Sequence, residues 1–418
     1  MLNVSNYPGV IGDGTHDDTA GLQAALDSGA STVYLPVPPR HYLISRPLKM
    51  HSCQTLTADR NAVIRLADHA HQHMLTNVDH ASGNTNITVL GGIWDGNNEH
   101  QTCEYHQGKS WRVPYDPARY LGVLMQFNRV KNLRVANLTL KDPEMFGFQG
   151  GNLHQFTVED ITFDYNMRRN NMDGIHVHGP SRHGRIANLK GATNDDMVAL
   201  NADDGQMAEL SRGPIEDIQV DGLWCENGYT AVRLLSAGSP VRRVTLTNIF
   251  GTYRTNVISF TNHKVHPGEP STFEDILISG VFCSKASDAK PATPPAEVWS
   301  GHSQIWIDAP AVVSSLVIRD YHRTETALPV DDLHIEEGAH VENLVLSEVT
   351  LINRCGRALN ILHNRGTIGQ LGIQNLNARA EEAGGVILRN TGHIAHIHQS
   401  NVTAKGFELG VSSIPQKS

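Results

Sequence analysis

Beyond the first hundred residues, hydrophobic and polar positions alternate with a period of two in short bursts, the pattern of strands with one buried face. A phrase of the form x-hydrophobic-x-Asn-hydrophobic-x-hydrophobic recurs. It reads Val130-Lys131-Asn132-Leu133-Arg134-Val135, then Phe156 to Ile161, Ile215 to Val220, Val241 to Leu246, Phe273 to Ile278, Val341 to Leu346 and Ile368 to Ile373. Most copies stand about 23 to 32 residues apart, the repeat of a solenoid turn. Each turn carries a second short strand downstream: Gly174 to Val177, Met197 to Leu200, Ala231 to Leu234, Asn256 to Phe260, Ser303 to Ile307, Ala358 to Ile361 and Gly385 to Leu388. Helical repeats of this length need long segments of period 3.6, and these turns have none. The pattern predicts an all-β chain, a parallel β-solenoid of roughly ten coils with aliphatic stacks inside and function on an outer face.

The start differs. Gly12-Asp13-Gly14-Thr15-His16-Asp17-Asp18-Thr19 leads into Ala20 to Asp27, whose apolar spacing and preceding Asp and Thr predict a capped amphipathic helix. A solenoid needs a cover for its open end, and this helix is the expected one. Thr32 to Pro36 and Tyr42 to Ser45 read as the first strands. The expected layout is a single domain over 1–418: cap and first strands in 1–50, a long polar and aromatic loop at 97–120, and main coils over 121–405. Loops of that length in compact domains are usually functional, and Trp111, Tyr115 and Tyr120 are candidates for one wall of a cleft.

Two acidic motifs stand one coil apart: Asn171-Met172-Asp173-Gly174-Ile175-His176-Val177 and Asn194-Asp195-Asp196-Met197-Val198-Ala199-Leu200. Laying Ile175 over Val198 puts Asp173 on Asp196 and His176 on Ala199. Neighbouring strands lie about 4.8 Å apart, so Asp173 and Asp196 become close neighbours, with Asp195 one residue away. Strict alternation would turn both inward with Ile175 and Val198, so they must sit where the coil bends before each strand. Crowded carboxylates oppose one another's ionisation, which is a setting for acid/base chemistry. The bland alternative is that Asp and Asn here only make solenoid turns, as at Asn132 or Asn343. Asp203 and Asp204, past the strand, are candidates for holding a cation or a sugar hydroxyl, with a solvated turn the favoured reading.

Composition narrows the classes. Hydrophobic residues make up 39% and charged residues 18%, which argues for a folded chain over a disordered one. A net charge of -9 gives no electrostatic reason to expect nucleic acid or an anionic membrane as partner. No apolar run approaches the length of a membrane span, and residues 1–14 lack a basic start and a hydrophobic stretch. The expectation is therefore a cytoplasmic protein, or a secreted one whose leader is absent. Cys53, Cys103, Cys225, Cys283 and Cys355 are scattered and form no CxxC pair, so buried thiols are expected instead of a disulfide framework. The 23 histidines show no HExxH spacing, so no metal site is expected.

Taken together, the GDGxxDDT segment from Gly12 to Thr19, Val33-Tyr34-Leu35-Pro36, the turn Gly92-Ile93-Trp94-Asp95-Gly96-Asn97 and the two acid motifs resemble the polygalacturonase-like glycoside hydrolases of family 28, the pectin-degrading β-helix enzymes. The family's Asn-Thr-Asp-Gly is matched by Asn171-Met172-Asp173-Gly174, its Gly-Asp-Asp-Cys by Asn194-Asp195-Asp196-Met197, and its Arg-Ile-Lys strand in half by Arg233-Leu234-Leu235. The resemblance implies a right-handed parallel β-helix, a carbohydrate substrate with uronic-acid chains first, no organic cofactor, and an inverting mechanism. Asp195 would give a proton, and Asp173 with Asp196 would activate water. Two departures stand out: no Gly-His-Gly lies between Asp196 and Arg233, and Leu235 occupies the lysine position that would help hold a substrate carboxylate. Oligomeric state is not legible.

Arg233 follows Val232 and by parity faces outward with His176 and Ala199, a candidate for substrate contact against the plainer reading of a surface arginine. His176 and His178 share that parity, as substrate contacts or solvated strand positions. Gln149, Ser259, Asn262, His263, Lys264, Gln304 and Trp306 are further subsite candidates, His263 and Lys264 for an anion and Trp306 for stacking on a sugar ring. Two rivals remain. A β-helix polysaccharide lyase would use Arg233 as base and the aspartates as calcium ligands, whereas an adhesin-type solenoid would bind carbohydrate without turnover.

Overall fold

The recurring phrase becomes the long strand of each coil. In the computed structural model, which describes residues 1–109, 116, 119–204, 212–263, 266–287 and 302–410, these residues group into two compact units. The first is built chiefly from Met1–Ala199, the second from Leu200–Asp204 and the described residues after Pro214. Both are parallel β-helical stacks.

In the first unit the long strands Val130–Lys141, His154–Asp164 and Ser181–Lys190 pair in parallel. Their apolar positions superpose: Val135 on Val158 on Ile186, and Leu138 on Ile161 on Leu189. The second unit repeats this with Ile218, Val244, Ile276, Leu316, Leu344 and Leu371 in one file. Inward residues of each file are buried, which removes apolar area at about 25 cal/mol per Å² and makes each rung depend on its neighbours.

The asparagines that recur at the bends of the long strands, Asn132 within the phrase and the others outside it, have a conformational reason. Asn132, Asn137, Asn188, Asn248, Asn375 and Asn401 all have positive φ between 51° and 61°, a left-handed conformation that Asn tolerates and β-branched residues resist. These residues bend the strand at the coil corner, and their amides form ladders between rungs. Asn132 Nδ2 donates to Asn86 Oδ1 at 2.7 Å and Asn401 Nδ2 to Asn375 Oδ1 at 2.9 Å. On the outer face of the second unit Trp224, Phe250, Phe282 and His322 stack with centroid spacings of 5.8, 5.2 and 4.7 Å.

The second series of strands is short. In the first unit Leu48–Met50, Leu75–Asn77, Met125–Asn128, Phe148–Gly151 and Ile175–His178 pair in parallel, aligning Lys49, Thr76, Gln126, Gln149 and His176. In the second unit the corresponding strands align Arg233, Ser259, Trp306, His334, His363 and Arg389.

The expected helix is present at Thr19–Asp27, burying Leu22, Ala25 and Leu26. Its capping differs from expectation. Asp18 precedes the helix but makes no side-chain cap bond; its carboxylate accepts from Ile11 N (2.7 Å), Gly12 N (3.1 Å) and Leu43 N (3.1 Å). Asp17 instead takes the Thr19 N–H at 3.0 Å. The GDGxxDDT segment therefore ties the entering chain to the first strands. Trp111, Tyr115 and Lys264 lie outside the described residues. Among the described residues no helix is long and apolar enough to cross a membrane.

Candidate active site

The site is built where two coils bend into their short strands. Asp173 stands just before the strand Ile175–His178, and Asp196 is the first residue of the strand Asp196–Ala202. Phe148 pairs with Ile175, and Gly147 N donates to Asp173 O at 3.0 Å. The same relation one rung on, Gly174 N to Asp196 O at 2.9 Å, puts Ile175 over Val198 and Asp173 over Asp196. Gly174 is required for this approach: a Cβ there would meet Met197 O at 2.4 Å and the Phe163 ring at 2.6 Å.

One oxygen from each of Asp173, Asp195 and Asp196 lies within 4.8 Å of the others. Their exposures differ in a useful way. Asp173 and Asp196 are buried at 1% and 2%, whereas Asp195 is half-buried. Asp195 is thus the carboxylate of the three that solvent reaches. Its neighbours fix its position: Thr193 Oγ1 donates to Asp195 O (2.7 Å), and Asp196 N donates to Asp195 Oδ1 (3.0 Å). Asn194 Nδ2 donates to Arg169 O at 2.7 Å, and the Arg169 guanidinium lies 3.0 Å from Glu144.

Asp173 is held from two sides. Tyr165 donates its hydroxyl proton to Asp173 O at 3.0 Å, and burial keeps that phenol well above its ordinary range, so it stays a donor. His176 Nδ1 meets Asp173 Oδ2 at 2.6 Å. Phe146 stacks on the same imidazole at 4.2 Å and 19°, which fixes the ring plane and through it the carboxylate.

The histidines correct the parity argument. His176 and His178 do not lie on a solvated face; both are fully buried, as is Gln149. Alternation tells which way a side chain turns and nothing about what covers it. Gln149 Nε2 lies 3.2 Å from His178 Nε2, and Gln126 Nε2 donates to Gln149 Oε1 at 2.9 Å. Such a buried polar row is costly unless its members are bonded to one another. His176 is therefore a positioning partner of Asp173. Asp203 and Asp204 are likewise not a solvated turn: both are 2% exposed. Asp203 Oδ2 accepts from Ser239 N (2.7 Å) and Asp204 Oδ2 from Asn201 Nδ2 (2.7 Å), bonds that make the turn internal.

The remaining candidates belong to the second unit. Arg233 is half-buried, with His263 Nε2 at 3.4 Å, and His263 is exposed with φ 49°. Asn262 and Gln304 are buried, and Asn262 donates to Ser236 O at 3.0 Å. Ser259 is buried too. Trp306 is half-buried, donating through Nε1 to Glu336 at 3.2 Å with His302 beside it at 5.4 Å. Tyr120, expected on an open cleft wall, is 7% exposed in a cluster with Cys103, Leu121, Val123, Met145 and Phe146. The apolar ring is more favourably buried in that cluster than displayed.

The sequence reading missed Glu144, Phe146, Tyr165 and Arg169, which support the acids from outside the repeat phrase and carry no periodic signal. It also missed two mixed clusters with donor atoms within 4.8 Å of one another: Cys103 with His106 and Glu144, and Asp331 with His334 and His363. Neither has a spacing motif, since each joins separate coils.

The model of glycosyl hydrolases family 28 matches residues 44–229, a span that contains all three aspartates and ends before Arg233. Over this span the chain is similar to the polygalacturonase-like β-helix proteins. A probable polygalacturonase of Arabidopsis thaliana is 22% identical over 260 residues, 58% of this chain and 55% of that protein; the chain thus spans about half the length of the curated relative. The family 28 exopolygalacturonase of Yersinia enterocolitica superposes with a TM-score of 0.52 at 15% identity, over 98% of this chain and 78% of the other. Two bacteriophage proteins share the fold. The phi29 gene product 12 gives 0.63 at 15% identity, over 97% of this chain and 56% of that one. The tailspike of the E. coli phage HK620 gives 0.62 at 12% identity, over 94% and 78%. At these identities the structural likeness bears on fold alone.

Proposed function

We propose that the protein is a glycoside hydrolase that cleaves a polysaccharide or oligosaccharide, with uronic-acid chains as the favoured substrate. The observation that carries this reading is the convergence of Asp173, Asp195 and Asp196 within 4.8 Å, with Asp195 alone among them half-open to solvent. Asp195 gives its proton to the glycosidic oxygen as the bond from the anomeric carbon breaks. Asp173 and Asp196 take a proton from the water that attacks that carbon. A positioned acid contributes about 10² to 10⁴ in rate. The uronate preference rests on the family 28 match and the relative's description, as Leu235 supplies no charge.

The stereochemical course has two readings. The resemblance implies inversion, in which the carboxyl groups usually stand about 6.5–9.5 Å apart to admit a water. Retention, with carboxyl groups roughly 5–5.5 Å apart, would instead need one aspartate to attack the anomeric carbon itself; the direct attack by water described above is the inverting course. Proton NMR of the first anomer released separates them.

The deciding assay is reducing-end release by the wild type and Asp195→Asn across uronic and neutral poly- and oligosaccharides, with absorbance of unsaturated uronate followed in parallel. Release without that absorbance, lost in the variant, is expected. Unsaturated product would replace hydrolysis by a lyase reaction, and no turnover across a broad panel would leave a carbohydrate-binding solenoid.

A further inference from the structure

Far along the second unit, adjacent short strands Leu333–Ile335 and Leu359–Asn364 place His334 directly over His363. Their rings stand 4.6 Å apart, edge to face. Asp331, in the turn before the first of these strands, reaches toward both. Its Oδ2 lies 2.9 Å from His363 Nδ1 and 3.5 Å from His334 Nδ1. Its Oδ1 is already taken, accepting from Asn360 N (3.1 Å) and Asn360 Nδ2 (2.7 Å). One carboxylate oxygen therefore faces two imidazole nitrogens.

From this geometry we infer a divalent transition-metal site of the zinc class, with Asp331 Oδ2, His334 Nδ1 and His363 Nδ1 as ligands. Bonds of about 2.0–2.2 Å to a tetrahedral ion hold ligand atoms roughly 3.3–3.5 Å apart, and octahedral geometry holds them about 3 Å apart. The two separations from Asp331 Oδ2, 2.9 and 3.5 Å, fall at those values, and all three groups offer atoms within 4.8 Å of one another, so small side-chain movements admit the ion. Two imidazoles and one carboxylate suit zinc, nickel or cobalt better than magnesium or calcium, which take oxygen ligands. The three side chains are 14% to 17% exposed, so an ion can reach them, with water completing its shell.

The surroundings match a supported site. His334 Nε2 makes no hydrogen bond but faces Glu336 Oε1 at 3.5 Å, near enough for this carboxylate to orient the ring and raise its basicity once an ion is bound. Glu336 is itself held by Trp306 Nε1 (3.2 Å) and Arg365 (3.1 Å). Arg389 stands in register beside His363 on the flank opposite His334 and is a nearby charge that opposes the ion, but it sits on the exposed side of the row. The Cys103 cluster of the first unit is less suited. Glu144 already accepts from Cys103 N (2.8 Å) and contacts His106 Nδ1 (2.8 Å), and the Arg169 guanidinium lies 3.0 Å away, a positive charge where a cation would have to enter.

The test is calorimetric titration of the full chain with zinc chloride after chelator treatment. One ion per chain at micromolar or tighter affinity is expected. His334→Ala or His363→Ala should abolish that step, Glu336→Gln should weaken it about 10- to 100-fold, and Cys103→Ser should leave it unchanged. X-ray absorption of the zinc-loaded wild type gives a readout independent of variant folding: two imidazoles in a nitrogen and oxygen shell are expected. A sulfur shell would transfer the ion to Cys103 and overturn the inference. So would stoichiometric binding that survives loss of both histidines, or only weak, non-saturating uptake by the chain's 23 histidines.

Discussion

The outward row of the short strands has two characters. In the first unit the row starts at an exposed Lys49 and then closes: Gln126, Gln149 and His176 are 0–1% exposed and bonded into a buried network. In the second unit, equivalent strand positions hold Arg233, Trp306, His334 and His363, all half-buried, and Arg389, exposed, with Ser259 the buried exception. The repeat geometry is the same, so the difference lies in what covers each row. A buried polar row costs stability unless every member is satisfied, and a chain retains one where geometry must be held. The half-open row carries no such requirement and is available to ions and ligands from solution.

Substitutions can break this contrast. The largest effect is expected for Asp195→Asn, with kcat lower by about 10² to 10⁴ and the unfolding midpoint nearly unchanged, since Asp195 is the exposed member; a large loss of Tm would make it a structural residue. His176→Ala removes the partner of Asp173 Oδ2 and the ring stacked on Phe146. By denaturant titration it should cost about 2–4 kcal/mol, combining an unmet buried acceptor with a cavity. Gln149→Ala leaves the partners of two hydrogen bonds and should cost about 1–3 kcal/mol. At the other extreme Arg389→Ala, on the open row, should stay within about 0.5 kcal/mol; a cost like that of Gln149→Ala would erase the contrast.

pH offers a finer test within the first unit. Burial opposes charge on His106, but Cys103 and Glu144 outweigh it and push the imidazole up to about 9 from its ordinary 6.5. A raised folded-state pKa gives stability that is complete below about pH 6.5 and lost as pH climbs through 9. Denaturation midpoints across that window should fall in the wild type, and His106→Gln should flatten the slope.

Much of this was legible in the chain itself. Alternation and the recurring phrase were enough for the parallel coil, and Asp-Gly-Ile aligned with Asp-Met-Val was enough to place Asp173 over Asp196, because register follows from strand pairing. Burial of His176 and His178 was not legible, because it depends on cover from elsewhere in the fold. Nor were Glu144, Arg169 and the Asp331 cluster, which join residues from different coils with no fixed spacing. The Asp18 carboxylate was misread for a related reason: a helix-start motif looks the same whether its acid caps the helix or grips a neighbouring loop.

The file of aliphatic residues in the second unit has a consequence for how such a chain can change. Only 28 residues separate Leu316 from Leu344, but 40 separate Ile276 from Leu316, and both pairs stack in register. A coil can thus be a dozen residues longer than its neighbour without disturbing the rungs on either side. Length variation is cheap there, so a protein of this design can be refitted for new surfaces by splicing segments into its coils while the column of Ile, Leu and Val stays as it is.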